Sequence, residues 1–238
     1  CEDASYLYGQ AMAMGQKNLN YAVQAISWDI QIEENTAMKP IVVFNTHAWA
    51  GKMAVELEVR GLSNDSFKLT DSAGKVLPAQ RIQSEAAVNG QSRLLFVADL
   101  PAMGYEVFKL YTDVEDVPAF PCVKAGEDDL ENENLHIRMN PDTGYMAGLY
   151  DKKANLEVLR REGARLVVLE DKSDTWSHNV FQFDKELGDM KMVYKKVLEE
   201  GPVRSVIRVK YRYNQSYVIQ DFRLYKDLDH VEVKVRVD

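Results

Sequence analysis

The chain has 238 residues, 46% of them hydrophobic, enough for one large domain or two small ones and too many for wholesale disorder. A net charge of −8 speaks against nucleic acid as a partner, because phosphate binding calls for a basic surface. No apolar run approaches the roughly 20 residues needed to span a membrane, no signal-peptide pattern is present, and Cys1 and Cys122 lack CxxC spacing, so both read as free thiols in a reducing cytoplasm.

Residues Glu2 to about Gln31 are predicted to be helical. Leu7, Ala11 and Met14 recur at i, i+4, i+7, and Leu19, Ala22, Ile26 and Ile30 continue the stripe. Glu2 and Asp3 suit the positive end of the helix dipole. About 30 residues make roughly 45 Å of helix. Such a helix has an apolar face with nothing local to cover it, so it is expected to pack on the following sheet or on helices outside this chain. The Met and Ala of AMAMG read as core filling.

From Pro40 the pattern changes to strands. IVVFN opens the β region, and Met53, Val55, Leu57 and Val59 alternate with Ala54, Glu56, Glu58 and Arg60 as a half-buried strand does. DSAGK is a turn, and the breaker PAMG separates the apolar strands RLLFVADL and YEVFKLY. DVEDVPAFPCVKAGEDD, with scattered Pro, Gly and acids, is a connector. In LENENLHIRMNPDTGYMAGLYDKKANLEVL, the residues Leu135, Ile137 and Met139 face one way and Asn134, His136 and Arg138 the other. NPDTG and DKKAN then turn the chain, which makes Asp142 and Asp151 turn acids with no need of catalysis.

Val203, Ser205, Ile207, Val209, Tyr211 and Tyr213 alternate with mostly basic residues, and YNQS turns the chain into SYVIQDFRLYKD and then VEVKVRVD. This is an antiparallel meander. The expected fold is mainly β: one long N-terminal helix (1–35), a small β domain (40–112), a connector (113–128), and the first part of a large antiparallel β-sandwich (129–238). The start at Cys1 and the stop at Asp238 in mid-strand suggest a piece of a longer protein.

Chemistry is sparse. His47, His136, His178 and His230 lie far apart without HExxH spacing, and no GxSxG elbow, P-loop or GxGxxG occurs. Cys122 has no identifiable base beside it. No catalytic and no metal-binding residue is therefore assigned. The stretch that looks functional is EDKSDTWSHNVFQFDKELGDM, where Asp171, Asp174, Trp176, His178 and Asn179 gather within nine residues. An aromatic face suits the C–H side of a sugar ring, and carboxylate, imidazole and amide groups suit its hydroxyls. The competing view makes Trp176 a buried loop anchor and Asp174 a turn cap.

The order and spacing of PIVVFNTHAW, LPAMGYEVFKL, LENENLHIRMNPDTGYMAGLYDKKANLEVL and EDKSDTWSHN resemble the family 38 glycoside hydrolases, retaining α-mannosidases, particularly bacterial members. The resemblance covers nearly the whole chain. It implies that the helix is the last of a middle helical bundle, and that the rest is a small β domain followed by the start of a galactose mutarotase-like supersandwich. It implies a zinc-dependent, two-carboxylate hydrolase acting on mannose-containing oligosaccharides. Its zinc ligands and nucleophile would lie in a preceding catalytic domain of the same chain, so none is carried onto these residues.

By the same resemblance Asp174, Trp176 and His178 are candidate substrate-binding residues, with Asn179 standing where the family pattern has Gly. A cytoplasmic location is expected, and homo-oligomerisation is left open. Two other readings compete with a non-catalytic C-terminal region: a carbohydrate-binding β-sandwich module without hydrolase activity, and a purely structural sandwich. The last gains ground if Trp176 is fully buried.

Overall fold

The computed structural model describes residues 2–62, 66–84 and 90–238; Cys1, expected as a free thiol, lies outside the described residues. Cys122 is free and exposed. Among the described residues the protein is mainly β with one helix, α1 (Glu2–Asp29). Acids occupy its first turn. No residue of α1 is buried: Tyr8, Met12 and Trp28 are among its exposed apolar side chains. The helix therefore does not pack on the following sheet, one of its two expected coverings.

The N-terminal β unit comprises β1 (Met38–Asn45), β2 (Gly51–Arg60), β3 (Phe67–Thr70), β4 (Val76–Leu77), β5 (Ala79–Ile82), β6 (Gln91–Leu100) and β7 (Gly104–Thr112). They form two antiparallel sheets in the orders β1-β7-β3-β4 and β2-β6-β5. The alternation foreseen for Met53 to Val59 is present: Met53, Val55, Leu57 and Val59 pack on a core of Leu69, Leu94, Phe96, Phe108 and Leu110 drawn from both sheets. Phe96 meets Phe108 there at a centroid separation of 4.8 Å. The run RLLFVADL is apolar at successive positions because β6 is covered on both faces. Leu94, Phe96 and Ala98 fill this core, while Leu95 and Val97 face away from it.

The C-terminal β unit continues with β8 (Lys124–Ala125), β9 (Asp129–Glu131), β10 (Leu135–Met139), β11 (Met146–Asp151), β12 (Leu156–Glu157), β13 (Val167–Leu169), β14 (Glu186–Asp189), β15 (Lys191–Glu199), β16 (Arg204–Tyr213), β17 (Ser216–Tyr225) and β18 (Val231–Val237). Three antiparallel sheets result: β12-β11-β10-β9-β8, β13-β14 and the meander β15-β16-β17-β18. The segment expected as a plain connector thus contributes β8, which pairs with β9.

The five-stranded sheet and the meander share one core. Leu130, Leu135, Ile137, Met139 and Met146 of the first meet Ile207, Val209, Tyr211, Val218 and Phe222 of the second. Tyr145 and Tyr211 stack 5.2 Å apart in it, and their hydroxyls donate to the Met190 and Gly144 carbonyls. Burying two phenols is tolerable only because both hydroxyls find acceptors.

The turns follow their residues. Asn140 Oδ1 accepts the amides of Asp142 and Thr143, and Gly144 takes a φ of 72°. A Cβ at Gly144 would lie 2.7 Å from Val209, so this position needs glycine for space as well as for conformation. Asp151 Oδ1 accepts the amides of Lys153 and Ala154, which is the turn role expected of it. Asn214, at φ 52°, lets the two-residue connection between β16 and β17 close.

The two β units meet at a seam. Ile82, Leu95, Val203, Tyr225 and Leu228 form its apolar part. Gln80 Oε1 accepts the amides of Val203 and Arg204 across it, at 3.1 and 2.8 Å. The guanidinium of Arg204 is 3% exposed and bridges Glu56 of the first unit, at 2.5 Å, to Glu199 of the second, at 2.7 Å. It also lies over the Tyr225 ring.

Candidate functional site

The segment singled out in the sequence is an excursion from the two-stranded sheet β13–β14. Its ends are tied together: the Glu170 amide donates to the Lys185 carbonyl at 2.9 Å, and Lys185 Nζ donates to Glu170 Oε1 at 3.0 Å. Between them the chain lacks regular structure because side chains there capture the backbone amides that a ladder would use. Asp171 Oδ1 accepts the Ser173 amide, and Ser173, first by its side chain and then by its backbone, holds the Asp171 carboxyl below the usual range.

Asp174 organises the next turn. Its Oδ1 accepts the amides of Trp176 and His178, each at 3.1 Å, and its Oδ2 lies 2.6 Å from His178 Nδ1. The His178 ring, then the His178 and other loop amides, hold the Asp174 carboxyl below its ordinary value. Ser177 and Asn179 both have left-handed backbones, with φ of 52° and 61°. Asn179 thus adopts the conformation that a glycine takes freely and that Asn tolerates better than most residues.

The structure brings Asp174 and His178 together and leaves Trp176 outside that pair. Trp176 is 80% exposed, so it is not a buried anchor; Asp174 does cap a turn. The loop adds two exposed aromatics that the sequence reading passed over, Phe181 at 98% and Phe183 at 44%. The signal for them was present, as VFQF sets Phe181 and Phe183 two residues apart in an acid-rich, irregular stretch. A depression of about 300 Å³ beside the loop is lined by Asp171, Ser173, Val180 and Phe183 among others, and by none of Asp174, Trp176 or His178.

The loop therefore presents an indole face, an imidazole clamped by a carboxylate, and two phenyl rings to solvent. Such a set can stack on and hydrogen-bond a polyhydroxylated ligand. It holds no activated nucleophile. Among the described residues no three His, Cys, Asp or Glu side chains gather as a metal site would require, so these residues do not fit a zinc ion. No helix among them is long and apolar enough to cross a membrane.

Residues 130–238 match the glycosyl hydrolases family 38 C-terminal domain. The fold is similar to the crystal structure of an alpha-mannosidase from Enterococcus faecalis V583, with a TM-score of 0.63 and 12% identity over 92% of this chain and 32% of that one. It is also similar to a protein in the glycosyl hydrolase family 38 from Enterococcus faecalis, with a TM-score of 0.54 and 11% identity over 85% of this chain and 31% of that one. The chain thus spans about a third of the length of these two structures. No curated protein matches its sequence.

Proposed function

We propose, from the match of residues 130–238 to the glycosyl hydrolases family 38 C-terminal domain, that the whole chain is the non-catalytic, β-rich C-terminal region of a retaining α-mannosidase. The parent enzyme would hydrolyse terminal α-linked mannose of oligosaccharides or glycans in the cytoplasm. The observation that carries this reading is the family match, continued by a fold shared with an alpha-mannosidase over 92% of the chain. The galactose mutarotase-like supersandwich belongs to the same proposal: the shared core between the five-stranded sheet and the meander supports it.

Zinc and the reacting carboxylates belong, on this reading, to a preceding domain of the parent. Among the described residues no set of ligands for the metal gathers. What they supply is placement. The exposed apolar stripe of α1 would pack on the helical bundle of the parent, and a homo-oligomeric assembly is compatible with the remaining surface. Trp176 would stack on a sugar beyond the cleaved bond, while the Asp174–His178 pair would hydrogen-bond its hydroxyls.

The test is kinetic. Trp176→Ala in the full-length parent is expected to lower kcat/KM for a mannobiose roughly tenfold, about 1.4 kcal/mol, and the chain alone is expected to release nothing from an aryl α-mannoside. If kcat and KM both stay unchanged, the loop has no part in substrate binding. Hydrolysis by the purified chain would overturn the non-catalytic assignment. A free-standing carbohydrate-binding module is the second reading, favoured by the 80% exposure of Trp176, and it requires the chain alone to retain a glycan. The same exposure counts against a purely structural sandwich.

A further inference from the structure

The seam between the β units opens into a cleft of about 590 Å³ that shares no residue with the Glu170–Lys185 loop. That volume falls in the range of small-molecule sites, roughly 300–1,000 Å³. Three parts of the fold build it. The β3–β4 turn brings Asp71 and Lys75, the first unit's sheets bring Lys52, Asp99 and Glu106, and the second unit brings Lys226 and Asp227. Val97, Phe108 and Val203 line the cleft between these groups, with the half-buried ring of Phe120 beside them.

Both signs of charge occur on each of the three walls. Lys52 Nζ stands 3.9 Å from Asp227 across the seam. The Glu133 side chain, then the charges of Lys52, Lys226 and Lys75, hold the Asp227 carboxyl below the usual carboxylate range. A cationic ligand would meet an ammonium on every wall, and an anionic ligand a carboxylate. A hydroxyl suffers from neither, because it accepts from an ammonium and donates to a carboxylate. Apolar surface with an aromatic edge suits the C–H face of a ring that carries such hydroxyls. The walls are held in place beforehand by Gln80 and Arg204 at the adjoining seam, so little ordering would be lost on binding.

We propose that this cleft is a binding site for a neutral polyhydroxylated ring, a saccharide unit, distinct from the Trp176 loop and independent of that loop's role. The experiment follows backbone amide shifts of the ¹⁵N-labelled protein on titration with methyl α-mannoside and methyl α-glucoside, and in parallel with sodium sulfate and with glycine. Saturable shifts are expected at Lys52, Val97, Lys226 and Asp227 with a glycoside and not with sulfate or glycine. Lys52, whose side chain is 46% exposed, can be replaced without opening a core. Lys52→Ala is expected to weaken glycoside binding about tenfold or more, and Trp176→Ala to leave it unchanged. The proposal is overturned by an absence of saturable shifts at these amides, by shifts confined to residues 170–185, by an equal response to sulfate or glycine, or by unaltered affinity in Lys52→Ala. Failure of the loop reading shows elsewhere, as unchanged mannobiose kinetics in the Trp176→Ala parent.

Discussion

Glu131 on β9 illustrates how one carboxylate between two lysines sets an acid response. Its Oε1 lies 2.7 Å from Lys152 Nζ and its Oε2 3.0 Å from Lys124 Nζ. The bond from Lys152, and after it the bond from Lys124, hold the Glu131 carboxyl down to about 2 from an ordinary 4.5. Lys152 also donates to the Asn132 carbonyl, which ties the end of β11 to the β9–β10 turn. A carboxyl whose folded pKa is depressed stabilises the fold above its unfolded pKa and loses that contribution as pH falls through the folded value. The window therefore runs from about 4.5 down to about 2. With the side chain 25% exposed, solvent screening keeps the contribution near 1 kcal/mol. Glu131→Gln is expected to cost about that much in urea unfolding at pH 7 and almost nothing at pH 2. Equal losses at both pH values would assign the residue a packing role instead.

At the scale of elements, α1 and the meander are opposites. Every residue of β16 from Arg204 to Ile207 is buried, and no residue of α1 is. A helix of 28 residues without tertiary cover keeps only its local hydrogen bonds and lacks the packing of an apolar face that supplies most helical stability in proteins. Amide hydrogen exchange is expected to be at least about a hundredfold faster along α1 than along β16 in this chain, reflecting low local opening energies. In the parent enzyme the same amides are expected to become protected. Strong protection of α1 in the chain alone would mean that a self-associated copy covers it.

The contrast also explains what periodicity can report. Alternation such as Leu135, Ile137 and Met139 is a property of one strand, and turns such as NPDTG depend on neighbouring residues; both were legible from the sequence because their causes are local. What covers a face is not a local property. The stripe on α1 announces an apolar face and says nothing about its partner. Arg204 looks like one more outward basic residue of β16, yet it is buried because Glu56, far away in sequence, reaches it. Strands as short as β8 have too few residues to show a period. For the loop, residue types and irregularity could be read in advance. The Asp174–His178 contact could not, since it depends on the turn between them, with its left-handed backbone at Ser177, rather than on any spacing rule.

For the molecule as a whole, the seam decides whether the two β units act as one body. Its apolar part is modest, Ile82, Leu95, Val203, Tyr225 and Leu228, and polar contacts across it add to that. Gln80 satisfies two amides of the second unit, and a Cβ at Gly201 would lie 2.3 Å from the Gln80 side chain, so the units approach closely there. Arg204 joins carboxylates from both units, Glu56, which Arg93 also reaches at 3.1 Å, and Glu199. Removing it takes both guanidinium bonds from Glu199 and leaves Glu56 to its Arg93 partner, and breaking a buried pair typically costs about 3–5 kcal/mol. Arg204→Ala is expected to lower stability by that order, and a double-mutant cycle with Glu56→Ala to return a coupling of about 0.5–3 kcal/mol. The unaltered protein is expected to unfold in one transition, with fluorescence and circular dichroism coinciding. Two transitions, or additive effects of the Arg204 and Glu56 changes, would mean that the units move independently. Any site built across the seam would then lack fixed walls.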